Sequence, residues 1–157
     1  MYQNIITPEE VIALAFSDGE YINPAAITNL DIAVVIRRWI IPITGEALMK
    51  AIMLGKYTEF TEKVLKPTIA AYVRLDMQPR LNASTGQLGL SVVAGANNKA
   101  ADEKLRHELM TSLRRRARTL RKYMVEYLEE HPILREYTGN DNVLHKCSCD
   151  GGIVQIL

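Results

Sequence analysis

The sequence has few of the features that mark secreted or membrane proteins. Only two of its 157 residues are cysteine, too few for a secreted domain held together by disulfides, so we expect a chain made in the cytoplasm. Its start, MYQNIITPEE, lacks a basic stretch followed by an apolar one and predicts no signal peptide. No apolar run approaches the roughly 18–20 residues of a membrane span, because Arg37, Arg38 and Pro42 interrupt the best candidate.

The chain also lacks an excess of charge of either sign, with 19 Lys and Arg against 18 Asp and Glu. The formal net charge is +1, which excludes a globally basic nucleic-acid-binding protein. The hydrophobic share of 48% excludes a disordered chain. A length of 157 residues suits one domain with an adequate core. We therefore expect one folded domain and no membrane partner.

Capping signals and apolar periodicity predict a mainly α fold, a compact helical bundle with a long C-terminal helix. Thr7 fits the N-cap of a first helix, and Glu10 completes a capping box with it. Asn23 before Pro24 predicts a second helix start. This start leads into residues 30–41, which are almost wholly apolar and predict a helix buried on most of its surface.

The segment IPITG places two helix breakers in the most apolar part of the chain. Pro42 discourages a helical conformation at the residue before it and lacks a backbone donor, and Gly45 follows three residues later. We predict a structural corner formed by Pro42, Thr44 and Gly45, with Thr44 capping a following helix that ends at Gly55. The alternative, a phosphate-binding turn, is disfavoured because a second glycine and a suitably placed lysine are missing.

Three further segments follow this corner. A broad apolar face predicts a helix over residues 58–80, in which Pro67 introduces a kink or marks the true start. Residues 82–99 contain glycines and no charge before Lys99, and predict a long loop or a small β-hairpin arm. The longest helix is predicted over residues 100–130.

The longest helix combines an apolar stripe with a basic surface. The stripe recurs every three or four residues and predicts burial against the core, by Leu105, Leu109, Leu113, Ala117, Leu120, Met124 and Leu128. Residues 104–122 contain eight basic side chains against one acid, Glu108. The basic residues predicted to contact a partner are Arg114, Arg115, Arg118, Arg121 and Lys122.

This arginine-rich surface has two interpretations. Either it is a solvated helix face, or it binds an anionic partner, which would be nucleic acid or an acidic surface of another subunit. Few aromatic residues lie between the arginines, so the sequence does not predict base stacking. Contact with phosphates and contact with protein both remain open.

His145, Cys147 and Cys149 form the strongest cluster of potential metal ligands. At a spacing of two they would share one face of a strand. A fourth ligand is missing, and His-x-Cys-x-Cys is not a common zinc spacing, so we predict no metal and no cofactor. The chain's histidines form no nucleophile–base constellation, and we therefore predict that the chain is not an enzyme.

The chain divides into a helical domain, residues 1–138, and an extended tail, residues 139–157. The tail ends in GGIVQIL, in which two glycines precede β-prone residues. Such a segment is too short to form a sheet alone, and exposed aliphatic side chains near a loose terminus favour docking on a partner. The alternative is that the tail folds back onto the chain's own helices. The predicted docking residues are Ile153, Val154, Gln155, Ile156 and Leu157.

Three segments carry a resemblance to a known family: VVIRRWIIPITGEALMKAI, FTEKVLKPTIAAYVRLDMQPRLN and the long helix after the spacer. Their succession resembles the head–tail connector proteins of tailed bacteriophages, also called adaptor or head-completion proteins, particularly those of phages and prophages of gut bacteria. Thr44, Gly45 and Leu48 match the family's corner, and KPTIAAY matches its next helix. The resemblance covers residues 5 to 130 and leaves out the CSCDGG segment.

The resemblance implies a structural virion protein of the neck, assembled in the host cytoplasm. Such proteins form a ring, commonly of twelve copies, that lies beneath the portal, extends the DNA channel and docks other neck or tail proteins. The expected partners are further copies of the chain, the portal protein, other neck or tail proteins and, without sequence specificity, channel DNA. From the residues alone, the alternative is a small helical DNA-binding or regulatory protein that uses the arginine-rich helix.

Overall fold

The computed structural model describes most of the helical part of the chain and short pieces of the rest. The described residues are 5–16, 22, 24–81, 84–86, 89–91, 103–131, 134–139, 142–145, 148–150 and 153–155. Within them the chain is mainly helical and has a long C-terminal helix, which confirms the predicted fold class.

Four helical stretches, two of them containing a π turn, make up most of the described residues. The first is α1, Pro8–Ala15. The second joins α2, a π turn and α3, which are Asn29–Val35, Ile36–Ile40 and Ile41–Met53. The third joins α4, a π turn and α5, which are Thr58–Phe60, Thr61–Leu65 and Lys66–Leu81. The fourth is α6, Glu103–Glu130, and 3₁₀ turns lie at Pro24–Ala26 and Val143–His145.

The first predicted helix start is confirmed and the second is wrong. The backbone N–H of Glu10 donates to Thr7 Oγ1, and the backbone N–H of Thr7 donates to Glu10 Oε2, which completes the predicted capping box. The second start comes later than predicted, because only a 3₁₀ turn follows Pro24 and α2 begins at Asn29. Its N-cap is Thr28, and Asp31 closes a capping box of the same kind.

Pro42 does not end the helix that contains it, which corrects the predicted corner. The π turn before it forms an i→i+5 bond from the Ile41 N–H to the Ile36 carbonyl, and this wider turn makes room for a residue without a donor. The break lies at Gly45, whose φ of 76° and ψ of 159° are not helical. Thr44 does not cap the next helix as predicted, since its hydroxyl donates backward to the Ile40 carbonyl at 3.1 Å.

Pro67 lies inside the third helical stretch in the same way. The helix begins at Thr58, nine residues before the proline, so Pro67 does not mark its start. A π turn again precedes the proline, with an i→i+5 bond from the Lys66 N–H to the Thr61 carbonyl. The predicted kink is therefore replaced by a local widening of the helix.

The central helix of the fold is α5, which packs against α1, α2 and α6. Its middle turns are buried on nearly every side: Thr68, Ile69, Ala70, Ala71, Tyr72 and Val73. Large aliphatic side chains from the other helices complete this core, among them Val11, Ile32, Ile36, Leu48, Met124 and Leu128. Each such side chain contributes roughly 1.5–3 kcal/mol by leaving water, so this cluster is the main stabilising feature.

Two arginines from other helices bind the C-terminal end of α1. Arg74 of α5 is buried, and its Nη1 donates to the Ala15 carbonyl at 2.5 Å. Arg116 of α6 donates through Nη2 to the Leu14 carbonyl at 3.2 Å. Because the last turn of α1 has no basic residue of its own, these guanidinium groups satisfy its free carbonyls and offset the negative end of its dipole.

The first turns of α6 extend past the core, which corrects part of the predicted apolar stripe. Ala117, Met124 and Leu128 are buried as predicted, but Leu105 is 56% exposed. The helical stretch Thr58–Leu81, against which α6 packs, has 24 residues and α6 has 28, which correspond to roughly 36 and 42 Å. The first residues of α6 therefore extend beyond this partner.

Two pairs of three-residue antiparallel strands complete the described residues. In the predicted arm, β1 (Ser84–Gly86) pairs with β2 (Gly89–Ser91), which supports the hairpin alternative for this segment. In the tail, β3 (Ser148–Asp150) pairs with β4 (Ile153–Gln155), so the predicted docking strand has a partner within the tail. Ile156 and Leu157 lie outside the described residues. None of the described helices has both the length and the apolar character needed to span a bilayer.

Candidate anion-binding groove

A concave groove of about 440 Å³ lies between the first π turn, α5 and α6. We call it the arginine groove. Arg38 and Trp39 of the π turn form one wall, and the α6 side is formed by arginines and Met110. The residues that line it are Arg38, Trp39, Tyr72, Leu75, Asp76, Pro79, Met110, Arg114, Arg118 and Arg121. Three of the five basic residues predicted from the sequence therefore lie together here.

The wall of the arginine groove is built on a stacked aromatic pair. The rings of Trp39 and Tyr72 lie with centroids 4.9 Å apart and planes inclined by 22°. The Arg38 guanidinium lies 4.9 Å from the centroid of the Trp39 ring, a cation–π distance. Because both partners occupy ring surface of Trp39, a nucleobase would have to displace one of them in order to stack there.

One carboxylate, that of Asp76, lies among these arginines. Its Oδ2 accepts a long hydrogen bond of 3.5 Å from Trp39 Nε1 and lies 3.9 Å from Arg38 Nη1. Both distances are at the weak end of their kinds, and the Arg38 side chain is 63% exposed. Asp76 therefore orients the Trp39–Arg38 wall and neutralises only part of the positive charge.

The α6 arginines of the groove have no anionic partner in the described part of the chain. Arg114, Arg118 and Arg121 follow one another at i, i+4 and i+7 on one face of α6, and no ion pair involves any of them. Like charges at this spacing repel modestly. Burial raises the pKa of the Tyr72 hydroxyl, and the nearby charges of Arg121 and Arg118 oppose that rise, as expected for guanidinium groups close to the ring.

The other two predicted contact residues lie elsewhere on α6. Arg115 is exposed and does not line the arginine groove, but it borders a neighbouring depression together with Arg114, Arg118 and Thr111. Lys122 is exposed and pairs with Glu126 at 3.5 Å, one turn further along. The structure thus divides the predicted set into three groove residues and two ordinary surface residues.

Sequence reasoning missed half of the groove. Local patterns place Arg38 and Trp39 simply within an apolar helix, and Tyr72 and Asp76 lie more than thirty residues further along. The available signal is the tripeptide Arg-Arg-Trp, which is unusual within an otherwise apolar helix. Its partners on α5 depend on how the two helices pack, and no local pattern reveals that.

The candidate metal ligands lie mainly outside the part of the chain that the structure describes. Cys147 is outside the described residues, and only the backbone is described at His145 and Cys149. Among the described residues, no group of three or more His, Cys, Asp or Glu side chains is arranged to hold a metal ion. The metal hypothesis of the tail stays untested.

A second polar cluster lies where the second and third helical stretches meet. Tyr57 has a left-handed backbone conformation, with φ of 60° and ψ of 44°, which is rare for a bulky residue. Its hydroxyl donates a short hydrogen bond to Glu136 Oε2, and Lys56 Nζ lies 3.0 Å from Glu136 Oε1. These two donors lower the pKa of Glu136 to about 2. The cluster ties the corner after α3 to the segment after α6.

The arginine groove is the site whose chemistry is best defined. Guanidinium groups present planar pairs of donors that match carboxylate and phosphate oxygens, and four of them converge here on one concave surface. The apolar walls supplied by Leu75, Pro79 and Met110 suit a ligand that also carries an apolar group. In comparisons with protein-family models, curated proteins and solved structures, the chain matches none of them.

Proposed function

We propose that this chain is a structural virion protein that forms a neck ring between the portal and the tail of a tailed bacteriophage. The observation that carries the proposal is the part of α6 that extends past the core. It combines the exposed side chain of Leu105 with basic side chains that make no ion pair among the described residues, on a protein whose net charge is only +1. A free monomer gains nothing from such a surface, whereas a subunit of an assembly covers it.

Exposed apolar side chains on a different helix support the same proposal. On α2, Leu30 and Val34 are 72% and 52% exposed and lie one turn apart on the same face. Leu105 on α6 belongs to a separate surface. A ring is built from head-to-tail contacts, which require two different surfaces on each subunit. Leu30 with Val34 on α2 and Leu105 on α6 support two such surfaces.

The remaining parts of the proposal rest on the family resemblance. It supplies the expected twelve copies, the portal protein and other neck or tail proteins as partners, the channel DNA and the location in the virion neck. The described fold is compatible with these expectations, because residues 5 to 130 of the resemblance include all four helical stretches.

The test is assembly of the chain with the portal protein of the same phage. We expect co-expression to yield a complex that contains a ring of this chain, measured by native mass spectrometry and electron microscopy. Leu30→Gln with Val34→Gln should prevent the ring while leaving the melting temperature unchanged. Val143→Gln, at an exposed apolar residue away from α2, is the matched control. A chain that stays monomeric with the portal protein, and is missing from purified particles, contradicts the proposal.

One observation favours the second candidate, a helical DNA-binding or regulatory protein. The arginine groove brings four guanidinium groups together with one carboxylate, a charge excess that could also accept DNA phosphates. Duplex DNA binding that falls steeply with salt and requires Arg114 and Arg118 would favour this candidate. Because the chain as a whole is almost neutral, the ring protein remains our proposal.

A further inference from the structure

We propose that the arginine groove binds the acidic C-terminal end of α6 from a second copy of this chain. This acidic end consists of Tyr123, Glu126 and Glu130. The inference rests on the proposed function for the presence of further copies, and it identifies two surfaces that would meet between neighbours. The groove and the acidic end are different surfaces of the same helix, so their contact can repeat head-to-tail from copy to copy, as a ring requires.

The groove supplies a concentrated positive charge. Four guanidinium groups face one carboxylate, that of Asp76, and the three from α6 make no ion pair among the described residues. The groove is concave, so an inserted carboxylate is partly removed from water. Under those conditions an arginine–carboxylate contact is stronger than on an open surface.

The acidic end supplies the complementary charge. Tyr123, Glu126 and Glu130 follow one another at i, i+3 and i+7, so they share one face of α6. All three are exposed, and the ion pair of Glu126 within the described chain is its long contact with Lys122. The last turn of α6 contains acids and no basic residue, which is unfavourable at the negative end of the helix dipole. Arginines from a neighbouring copy would offset this disadvantage.

The apolar parts of the two surfaces are complementary, as their charges are. The Tyr123 ring is 49% exposed and is an apolar group beside the two carboxylates. The groove carries apolar walls, formed by Leu75, Pro79 and Met110, beside its arginines. An aromatic side chain flanked by acids therefore fits a groove with apolar walls flanked by arginines.

Nucleic acid fits the same groove less well. The Trp39 ring is already in contact with Tyr72 and Arg38, so its surface is not free for a base. The apolar walls of the groove offer nothing to a sugar–phosphate backbone, whereas they suit the ring of Tyr123. The net charge of +1 gives little long-range attraction to DNA. These features favour a protein segment with carboxylates.

Charge reversal on each surface, alone and combined, tests the inference. We expect Arg114→Glu with Arg118→Glu to weaken self-association at least about tenfold, and Glu126→Lys with Glu130→Lys to do the same. The chain with all four changes should regain association to within about threefold of the wild type, because the reversed charges attract again. Arg37→Glu with Lys50→Glu changes charge equally at exposed residues outside the groove and should leave association unchanged.

Sedimentation over a range of protein concentrations measures the association, and fluorescence locates it. The chain has one tryptophan, Trp39, so its emission reports on the groove alone. The emission should change as the wild type associates and should stay constant in either charge-reversed pair. Circular dichroism melts of every variant confirm that each one is folded.

Three results would overturn the inference. The first is a wild type that stays monomeric at every concentration, and the second is normal association of the groove variant. The third is binding of a duplex DNA oligonucleotide that requires Arg114 and Arg118 in a chain that does not self-associate. Failure of the inference differs from failure of the proposed function. If groove variants still form rings with the portal protein, only the inference is wrong.

Discussion

The two helices that contain internal prolines differ in how far each one continues beyond its proline. Pro42 and Pro67 each come two residues after a π turn, and each helix continues through its proline. After Pro67 the helix runs on to Leu81, whereas after Pro42 it breaks three residues later, at Gly45. The comparison teaches that these prolines accompany a widened helix, and that a glycine with a positive φ is the residue that turns it.

The two stretches also begin differently. The second helical stretch, which contains Pro42, starts at a capping box in which Thr28 and Asp31 bond to each other's backbone, and Arg80 lies 3.3 Å from the Asp31 carboxylate. The third helical stretch, which contains Pro67, has no side-chain cap, and its first residue follows the left-handed Tyr57. There the tertiary hydrogen bond from Tyr57 to Glu136 anchors the residue that precedes the helix.

The largest expected effect comes from Gly45. Its φ of 76° with ψ of 159° lies in a region that is essentially restricted to glycine, and the residue is buried. We expect Gly45→Ala to lower the free energy of unfolding by roughly 3 kcal/mol. Denaturant unfolding followed by circular dichroism measures it.

Gly55→Ala is the matched control for Gly45. Gly55 also has a positive φ, of 82°, but it is exposed and an added Cβ meets nothing within 4 Å. Its φ lies near the left-handed helical region, so the cost is roughly 1–2 kcal/mol. Equal costs at the two glycines would mean that Gly45 is an ordinary turn residue and not the corner of the fold.

The stability of the start of the third helical stretch should depend on pH, because its contact with Glu136 requires an ionised carboxylate. The pKa of Glu136 is about 2 in the folded chain and roughly 4.3 in an unfolded one. A lowered pKa contributes stability that is complete above the unfolded value and is lost as the pH falls from about 5 towards 2. Tyr57→Phe should therefore lower the melting temperature at pH 7, and the difference from the wild type should shrink by pH 3.

Asp31→Asn provides the comparison with the second helical stretch, which begins at Asn29. Its capping box also lowers the pKa of Asp31, although burial opposes this as the largest single influence. Both helix starts should thus lose stability in acid. The second stretch loses the local cap at Asp31, and the third loses its contact with Glu136 in a distant segment. A Tyr57→Phe deficit that is the same at pH 7 and pH 3 would show that the hydroxyl acts by packing alone.

The helices were predictable from local patterns, and their interruptions were not. The Thr7–Glu10 capping box and the glycine that ends α3 follow from nearby residues, and both are present. The continuous helix through Pro42 was not predictable, because proline normally disfavours helix and π turns have no sequence signature of their own. Tertiary packing of Ile36 and Ile40, both fully buried, holds that segment helical.

The candidate site was half predictable for a similar reason. Arg114, Arg118 and Arg121 share a helix face, which periodicity reveals. Which of the basic residues would meet Trp39 and Tyr72 depends on the packing of three helices. The sequence therefore marked α6 as a basic surface but did not separate groove residues from the solvated Arg115.

A smaller effect is expected at the threonines that follow the two prolines. Thr44 and Thr68 are buried, and each hydroxyl donates to the carbonyl four residues earlier, at 3.1 and 2.7 Å. Valine keeps the shape and removes the donor, so each Thr→Val change should cost roughly 1 kcal/mol. Thr119→Val removes the same kind of bond at an exposed position and should cost less. If all three changes cost the same, burial does not strengthen these bonds.

The smallest effect is expected from the prolines themselves. Alanine has a backbone N–H and a higher helix propensity than proline, which favours the folded chain, although the π turns have already adapted the backbone to proline. Removing proline also gives the unfolded chain more conformational freedom, which favours unfolding. These contributions oppose each other, so Pro42→Ala and Pro67→Ala should each change the free energy of unfolding by less than about 1 kcal/mol. Circular dichroism should show unchanged helix content in both, because Gly45 still interrupts the first helix and the second already continues through its proline to Leu81. A marked rise in helix content and melting temperature for Pro42→Ala alone would show that Pro42, and not Gly45, causes the corner.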